Sequence, residues 1–243
     1  MNINYTTGVI STDSFFDFGF TYGDVSGFGL FSGLHFVWLA ACALVVASLC
    51  VLYKKSEDRI KIRHAVGISL ISLELLRAGV LIVCGQYTRW SLPLHLCGMA
   101  VYISFFHSLR PRRLTGQFLY AFCMPGAMFA LVFPDWAYYP AVHFVTVSSF
   151  LLHALIVSYT LMQVISRDIR PSIKDAPKCL AVMLIIAVPV YIFNKLAGTN
   201  YMFLNWPSPG SPLEWFAFLG KPGYILGYFP ILAAVWTLIY CKL

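Results

Sequence analysis

Seven long apolar segments alternate with short polar connections along nearly the whole chain. They cover about residues 33–53, 64–84, 92–108, 116–133, 140–164, 178–197 and 220–240. A transmembrane helix needs roughly 20 consecutive apolar residues, and each segment is close to that length. The runs are too long and too uniformly apolar for barrel strands, so the pattern predicts an all-α, polytopic membrane protein with seven transmembrane helices.

Composition predicts a single membrane domain. Hydrophobic residues make up 59% of the chain and charged residues 11%, whereas globular domains average about 25% charged residues. The seven segments use nearly all of the 243 residues, which leaves no room for a soluble domain. We therefore predict one transmembrane domain over residues 1–243, with an N-terminal segment 1–32 before a seven-helix bundle 33–243.

The N-terminal segment 1–32 is acidic and aromatic. It contains Asp13, Asp17 and Asp24 and no lysine or arginine, so it lacks the basic region with which a cleavable signal peptide begins. Its phenylalanine and tyrosine residues are typical of a membrane–water interface. We expect an interfacial segment on the outer side of the membrane.

Basic residues predict the orientation of the bundle. Those after segments one, three and five and at the C-terminus are Lys54, Lys55, Arg59, Lys61, Arg63, Arg110, Arg112, Arg113, Arg167, Arg170, Lys174, Lys178 and Lys242. Only Arg89, Lys195 and Lys221 lie in the opposite connections. The positive-inside rule then predicts an external N-terminus and a cytoplasmic C-terminus. The same topology explains the net charge of +7, and we expect no nucleic-acid partner.

Polar side chains within the apolar segments share a similar depth. An ionisable group in hydrocarbon costs roughly 2.5 to 3.5 kcal/mol on insertion scales, so each such residue is a functional candidate. The outer halves of the segments carry His35, Arg77, His95, Cys97, His143, Asn194 and Lys195, with Glu74 and His153 nearer the midplane. This common depth predicts one pocket that opens toward the outer face.

The start of segment three is the candidate reactive site. Residues 92–97 read Leu-Pro-Leu-His-Leu-Cys, and Cys97 is a candidate nucleophile that needs a neighbouring base to form a thiolate. His95 is two residues away, roughly 200° around a regular helix, so the base must come from another segment. His143 and His153 of segment five are both candidates. Depth counted along the span from its outer end favours His143. If segment five begins above the bilayer, His153 is the one that comes near Cys97.

Cys97 has two alternative roles. It is either a small buried hydrophobe or half of a disulfide with Cys84. The cysteines show no CxxC spacing and the histidines no HExxH arrangement. Because His35, His95 and His143 form only a loose three-ligand set, we predict neither a metal nor a cofactor.

Other polar residues are candidates for substrate binding. Glu74 and Arg77 are three residues apart, so they share a helix face and can form an ion pair that either fixes packing or holds a substrate. The polar turn around Asn200 and Tyr201 runs into an aromatic stretch. This turn predicts a loop that caps the pocket, with an aromatic-belt anchor as the alternative.

Several motifs are shared with a known family. They are residues 92–97, Met-Pro-Gly at 124–126, Phe-Pro-Asp at 133–135, the region of His143 and His153, and above all Gly-Thr-Asn-Tyr-Met-Phe-Leu at 198–204. Over most of its length the chain resembles the YwaF-like integral membrane proteins of bacteria. Those proteins are related to an animal seven-span acyltransferase that acts on lysophospholipids, including ether-linked ones.

The resemblance implies a membrane-embedded acyltransferase in a bacterial plasma membrane. Cys97 would take an acyl chain from a phospholipid as a thioester, with His153 or His143 as the base, and pass it to a lysophospholipid-like acceptor. The residues that remain for substrate binding are His35, Glu74, Arg77, His95, Asn194, Asn200 and Tyr201. Among them, Arg77 is the candidate for phosphate, and an asparagine is the candidate oxyanion donor.

A different class of protein is the alternative. A transporter or receptor would bind a small polar solute in the same pocket without chemistry, and helices interrupted by Pro125 and Pro189 permit it. The two classes differ in whether Cys97 is reactive. We favour the enzyme.

Labelling of introduced cysteines checks the predicted topology. Because basic residues concentrate on one side, a thiol near the N-terminus should react with an impermeant reagent from outside the cell. A thiol at the C-terminus should react only after the membrane is opened. Reaction of both ends from the same side would remove one span from the prediction.

Overall fold

The computed structural model of the chain describes residues 15–19, 27–208 and 210–241. All regular secondary structure in these ranges is helical. The main helices are α1 (Gly33–Lys55), α2 (Arg59–Val83), α3 (Leu96–Leu109), α4 (Arg113–Val132), α5 (Phe144–Ile165), α6 (Ile173–Ala197) and α7 (Gly223–Tyr240). Two short 3-10 helices, Tyr201–Phe203 and Pro212–Leu219, lie between α6 and α7. Of the N-terminal segment, residues 1–14 and 20–26 are outside the described ranges.

Six of these helices, within the described part of the chain, are long and apolar enough to cross a membrane. The prediction of an all-helical, multi-pass membrane protein is therefore confirmed. Helix α3 has 14 residues and begins at Leu96, later than the predicted start at residue 92. The preceding chain folds back on its first turn, where a Cβ added at Gly98 would lie 2.9 Å from the Pro93 Cα. Gly98 permits this close approach because it has no side chain.

Helix α5 lies at the centre of the bundle, and most of its residues are buried. Two of its buried hydroxyl groups bond within the helix. Ser158 Oγ donates to the Ala154 carbonyl at 2.7 Å, and Thr160 Oγ1 donates to the Ile156 carbonyl at 3.3 Å. A polar group that is satisfied in this way avoids the cost of an unpaired buried donor. The helix can therefore carry polar residues and still be packed by α1, α2 and α4.

Helix α4 contains a π-helical turn, Leu119–Cys123, just before Pro125. Proline has no N–H, so the Ala121 carbonyl one turn earlier loses its usual helical partner. The indole of Trp236 on α7 takes that place, with Nε1 donating to the Ala121 carbonyl at 3.0 Å. The helix is therefore widened by one π-helical turn before Pro125, and the Trp236 hydrogen bond attaches α7 to this turn.

At the end of the bundle away from His95, acidic side chains form ion pairs with basic residues in or next to the connections. Arg113 pairs with Asp175 at 2.8 Å. Asp58 caps α2 and pairs with Lys61 at 2.9 Å. The Lys61 side chain, which donates to the Asp58 carboxylate, lowers the pKa of that carboxyl. The Arg113–Asp175 pair therefore joins the starts of α4 and α6.

Gly67→Ala is expected to destabilise the protein. A Cβ at this position would lie 2.6 Å from Ser108 Oγ and 2.8 Å from Ser108 Cβ, and such overpacking costs about 1 to 3 kcal/mol. The matched control is Gly79→Ala in the same helix, where an added Cβ meets nothing within 4 Å. Thermal unfolding in detergent should show a lower Tm for the first variant only. Equal Tm values would mean that α2 and α3 do not pack this closely.

Candidate functional site

A cavity of about 780 Å³ lies between α2, the start of α3, α4, α5, α6 and α7. Its lining is largely apolar. We call its charged residues, histidines and cysteine the polar chamber: Glu74, Arg77, His95, Cys97, Asp135 and His153. All of these except Asp135 are site candidates from the sequence, so residues far apart in the chain meet in one cavity.

Arg77 and Asp135 are the charged residues of the polar chamber that lie near its thiol and its two imidazoles. The charges of both side chains act on Cys97, His95 and His153. Electrostatic interactions are strong in a site of low dielectric constant. The thiol and the two imidazoles therefore lie within reach of one cation and one carboxylate.

His153 has a fixed orientation in the chamber. Its Nδ1 donates to the Ser149 carbonyl one turn earlier, at 2.7 Å. The neutral ring therefore carries its lone pair on Nε2, as assigned from this hydrogen bond. The Trp136 indole stacks on the imidazole with ring centroids 4.9 Å apart. A ring held in this way, with one nitrogen left to accept a proton, is suited to act as a general base.

His95 and Cys97 stand at the start of α3. His95 is the N-cap residue, its Nδ1 accepts from the Met202 N–H at 3.2 Å, and its ring lies against Tyr201. Cys97 is half-buried in the first turn of the helix, near the partial positive charge of its N-terminus. Cys84 and Cys97 are both free thiols. The structure therefore does not contain the alternative disulfide.

Glu74 and Arg77 line the cavity as separate charges. Among the residues that the structure describes, no ion pair joins them, although they are three residues apart on α2. Glu74 is only 7% exposed, and its Oε2 has no hydrogen-bond partner among the described residues. The expected ion pair is thus not formed, because both side chains line the cavity instead. Each charge remains able to contact a ligand.

Asn194, near the end of α6, and Asn200 of the capping loop, residues 198–206, bind backbone groups. Asn194 Oδ1 accepts from the Tyr201 N–H at 2.8 Å, and its Nδ2 donates to the Tyr201 carbonyl at 2.8 Å. Asn200 Nδ2 donates to the Trp206 carbonyl at 2.9 Å. These amides hold the loop together from behind the cavity lining. Asn194, Asn200 and Tyr201 do not line the cavity, and their side chains hold the loop together.

The centre of the capping loop has an unusual backbone. Met202 and Phe203 have positive φ angles of 55° and 51°, which non-glycine residues adopt only with support from their surroundings. Tyr228 donates to the Met202 carbonyl and Tyr224 to the Phe203 carbonyl, both at 2.7 Å. Together with the bond to His95, these contacts hold Met202 and Phe203 against the cavity.

His35 and His143 lie away from the chamber. His35 is fully buried, and its Nε2 donates to a backbone carbonyl of α4 at 2.9 Å. His143 caps α5 through Nδ1, and its Nε2 donates to the Asp17 carbonyl at 3.0 Å. Both imidazoles attach helix ends to neighbouring backbone. Of the two candidate bases, His153 is the one that shares the cavity with Cys97.

Asp135 and Trp136 are site residues that the sequence did not single out. Asp135 was noted only as part of the Phe-Pro-Asp motif. Trp136 is buried beside His153, and its Nε1 has no partner among the described residues. The sequence did contain a signal: Asp135 is a carboxylate between two apolar segments with no basic residue in the same connection.

The fold and the cavity define a multi-pass helical membrane protein with a polar chamber inside its bundle. The chain belongs to the TMEM164 family, a multi-span membrane family, which it matches over residues 30–240. The matched range includes all of α1–α7 and the chamber. No curated protein and no solved structure matches the chain.

Tyr201→Phe is expected to destabilise the protein. The Tyr201 hydroxyl donates to the Arg89 carbonyl at 2.7 Å and accepts from the Leu92 N–H at 2.9 Å. Loss of this partner leaves backbone groups unpaired, at a cost of about 1 to 3 kcal/mol. Tyr87→Phe is the matched control because that side chain is exposed. A Tm measured in detergent should fall for Tyr201→Phe alone, and an unchanged Tm would show that this hydroxyl does not hold the loop.

Proposed function

We propose that the protein is an acyltransferase that moves a fatty acyl chain between a phospholipid and a lysophospholipid-like acceptor through Cys97. The observation that carries this proposal is that Cys97 and His153, from different helices, line the same largely apolar cavity. A nucleophile and a base are thus combined with a surface suited to lipid chains. The resemblance to YwaF-like proteins and their animal acyltransferase relative supports the same chemistry.

In the first half-reaction, His153 Nε2 takes the proton from the Cys97 thiol, and the thiolate attacks the carbonyl carbon of a phospholipid ester. The ester C–O bond then breaks, and the departing oxygen takes the proton from His153. The products are a lysophospholipid and an acyl thioester on Cys97. The negative charge of Asp135 favours the imidazolium that forms during this step.

In the second half-reaction, an acceptor lysophospholipid replaces the first product. His153 removes the proton from its hydroxyl group, and the oxygen attacks the thioester carbonyl. The C–S bond breaks, and Cys97 recovers its proton from His153. The transfer exchanges one ester for another, so it requires no cofactor, oxidant or water.

Arg77 binds the phosphate of the lipid headgroup in this proposal. A guanidinium presents its donors in a planar fork that matches two phosphate oxygens. Arg77 lines the cavity and has no ion-pair partner among the described residues. The headgroup would thus lie at the α2 side of the chamber.

We also propose that α3 crosses the membrane together with the non-helical residues 89–95. This gives seven spans, an external N-terminus, a cytoplasmic C-terminus and a chamber toward the outer face of the plasma membrane. Irregular backbone at membrane depth is tolerated where it lines a cavity. The distribution of basic residues supports the same orientation.

Solute binding without chemistry is the second candidate function. Glu74 favours it, because a buried carboxylate oxygen without a partner can accept a hydrogen bond from a cationic or polar solute. A transporter or receptor of this kind would not need a reactive thiol at Cys97.

Cys97→Ser is expected to lose most acyl-transfer activity while remaining folded. Serine has nearly the same volume, but its hydroxyl is far less ionised at neutral pH. His153→Ala should lower the rate by about 10²- to 10⁴-fold, the usual contribution of a general base. The measurement is transfer of a labelled acyl chain from phospholipid to lysophospholipid by purified protein in vesicles.

Two controls separate this mechanism from its alternatives. Cys84→Ser changes a free thiol outside the cavity lining and should keep full activity. His143→Ala removes contacts at the end of α5 and should lower Tm more than it lowers the rate per folded molecule. A folded Cys97→Ser variant with full transfer activity would falsify the thioester route and favour the solute-binding class.

A further inference from the structure

We infer that His95 donates, through its Nε2–H, the hydrogen bond that stabilises the oxyanion formed when Cys97 attacks an ester. The inference rests on the proposed function, because an oxyanion forms only if an acyl group is transferred. From the sequence, an asparagine was the candidate for this role. Asn194 and Asn200 do not line the cavity, whereas His95 does.

The two histidines of the polar chamber carry their protons on opposite nitrogens. The Met202 N–H donates to Nδ1 of His95 at 3.2 Å, so this nitrogen is an acceptor. A neutral imidazole has one acceptor and one N–H, which leaves the proton of His95 on Nε2. In His153, Nδ1 donates to the Ser149 carbonyl at 2.7 Å, and Nε2 has the lone pair. His153 can therefore accept a proton through Nε2, whereas His95 can donate a hydrogen bond through the same atom.

The capping loop fixes the ring of His95. Besides the bond from the Met202 N–H, the rings of Tyr201 and Phe203 lie against the imidazole, with centroids 5.0 and 5.4 Å away. Among the residues that the structure describes, Met202 is the only hydrogen-bond partner of the His95 side chain. Nε2–H is thus a donor with a fixed direction and no partner within the described protein. Donors that are held in place before the reaction stabilise developing charge at little reorganisation cost.

His95 is near both reacting groups. The Cα atoms of His95 and Cys97 are two residues apart in the chain and therefore lie within about 7.6 Å of each other. Both residues line the cavity, and the imidazoles of His95 and His153 are close enough to interact electrostatically. The first turn of α3 also has backbone N–H groups without intrahelical partners, which the His95 side chain does not cap. An acyl carbonyl at Cys97 would thus meet donors from His95 and from the start of α3.

The donor acts when the carbonyl carbon becomes tetrahedral. As the Cys97 sulfur bonds to this carbon, the π electrons of the C=O bond move to the oxygen, which accepts the hydrogen bond from Nε2–H. The proton stays on His95. When the C–O bond to the leaving alcohol breaks, the C=O bond forms again, and the leaving oxygen takes its proton from His153. The same donor serves the attack of the acceptor on the thioester.

Two amide substitutions separate the roles of the two nitrogens of His95. In His95→Asn, an amide oxygen can accept from the Met202 N–H in place of Nδ1, but the donor at Nε2 is lost. In His95→Gln, an amide nitrogen replaces Nε2 and the bond to Met202 is lost. We expect kcat for transfer of a labelled acyl chain to fall by about 10²- to 10³-fold in His95→Asn, with KM and Tm close to those of the wild type.

His95→Gln should keep more of kcat than His95→Asn and have the lower Tm. In both variants the pH dependence of kcat should keep its shape, because the base is still His153. Full kcat in His95→Asn, or a lower kcat in His95→Gln than in His95→Asn, would mean that His95 only holds the capping loop.

Binding of an alkyl trifluoromethyl ketone distinguishes this inference from the proposed function. A thiolate adds reversibly to such a ketone, and the oxygen of the adduct takes the place of the oxyanion. His95→Asn should weaken ketone binding by a factor similar to its loss of kcat, without weakening the binding of a lysophospholipid. Equal ketone binding by wild type and His95→Asn, with weak binding by Cys97→Ser, overturns the role of His95 alone. Equal binding by wild type and Cys97→Ser overturns the thioester route and the role of His95 with it.

Discussion

Every backbone N–H and carbonyl at membrane depth needs a partner within the protein, and the chamber depends on how this requirement is met. The cavity is lined in part by two stretches that lie outside the long helices, residues 89–95 and the capping loop. Asn194 and Tyr201 supply the hydrogen bonds that a helix would otherwise provide. From the sequence, both residues were candidates for substrate binding. In the structure they are the residues that allow irregular backbone to exist beside a cavity.

The orientation of His153 follows from the same requirement inside a helix. Buried hydroxyls of α5 donate to carbonyls one turn earlier, as Ser158 does. His153 uses this pattern when its Nδ1 donates to Ser149. The bond satisfies one ring nitrogen and leaves the other with a lone pair. The hydrogen bond that lets the His153 side chain lie in the core of the bundle thus also leaves Nε2 able to accept a proton.

The apolar pattern predicted the helices well because bilayer thickness imposes a length that a sequence displays directly. It also predicted that Arg77, His95 and Cys97 share a pocket. It did not decide between His143 and His153, because depth counted along straight helices assumes that every span begins at one level. Helix α3 begins late, at Leu96, and in the structure Cys97 shares the cavity with His153. Side-chain direction was likewise beyond the sequence, as the unpaired Glu74 and Arg77 illustrate.

On the proposed function, the position of Cys97 follows from the anatomy of a phospholipid. A phospholipid carries its esters at the boundary between the polar headgroup and the hydrocarbon chains. Residues of both kinds line the cavity, with Arg77 and Asp135 among the charged ones and Leu232 and Val235 among the apolar ones. A lipid with its phosphate near Arg77 and its chain against the apolar residues would have its ester between the two, and the proposed function requires that ester to lie within reach of Cys97.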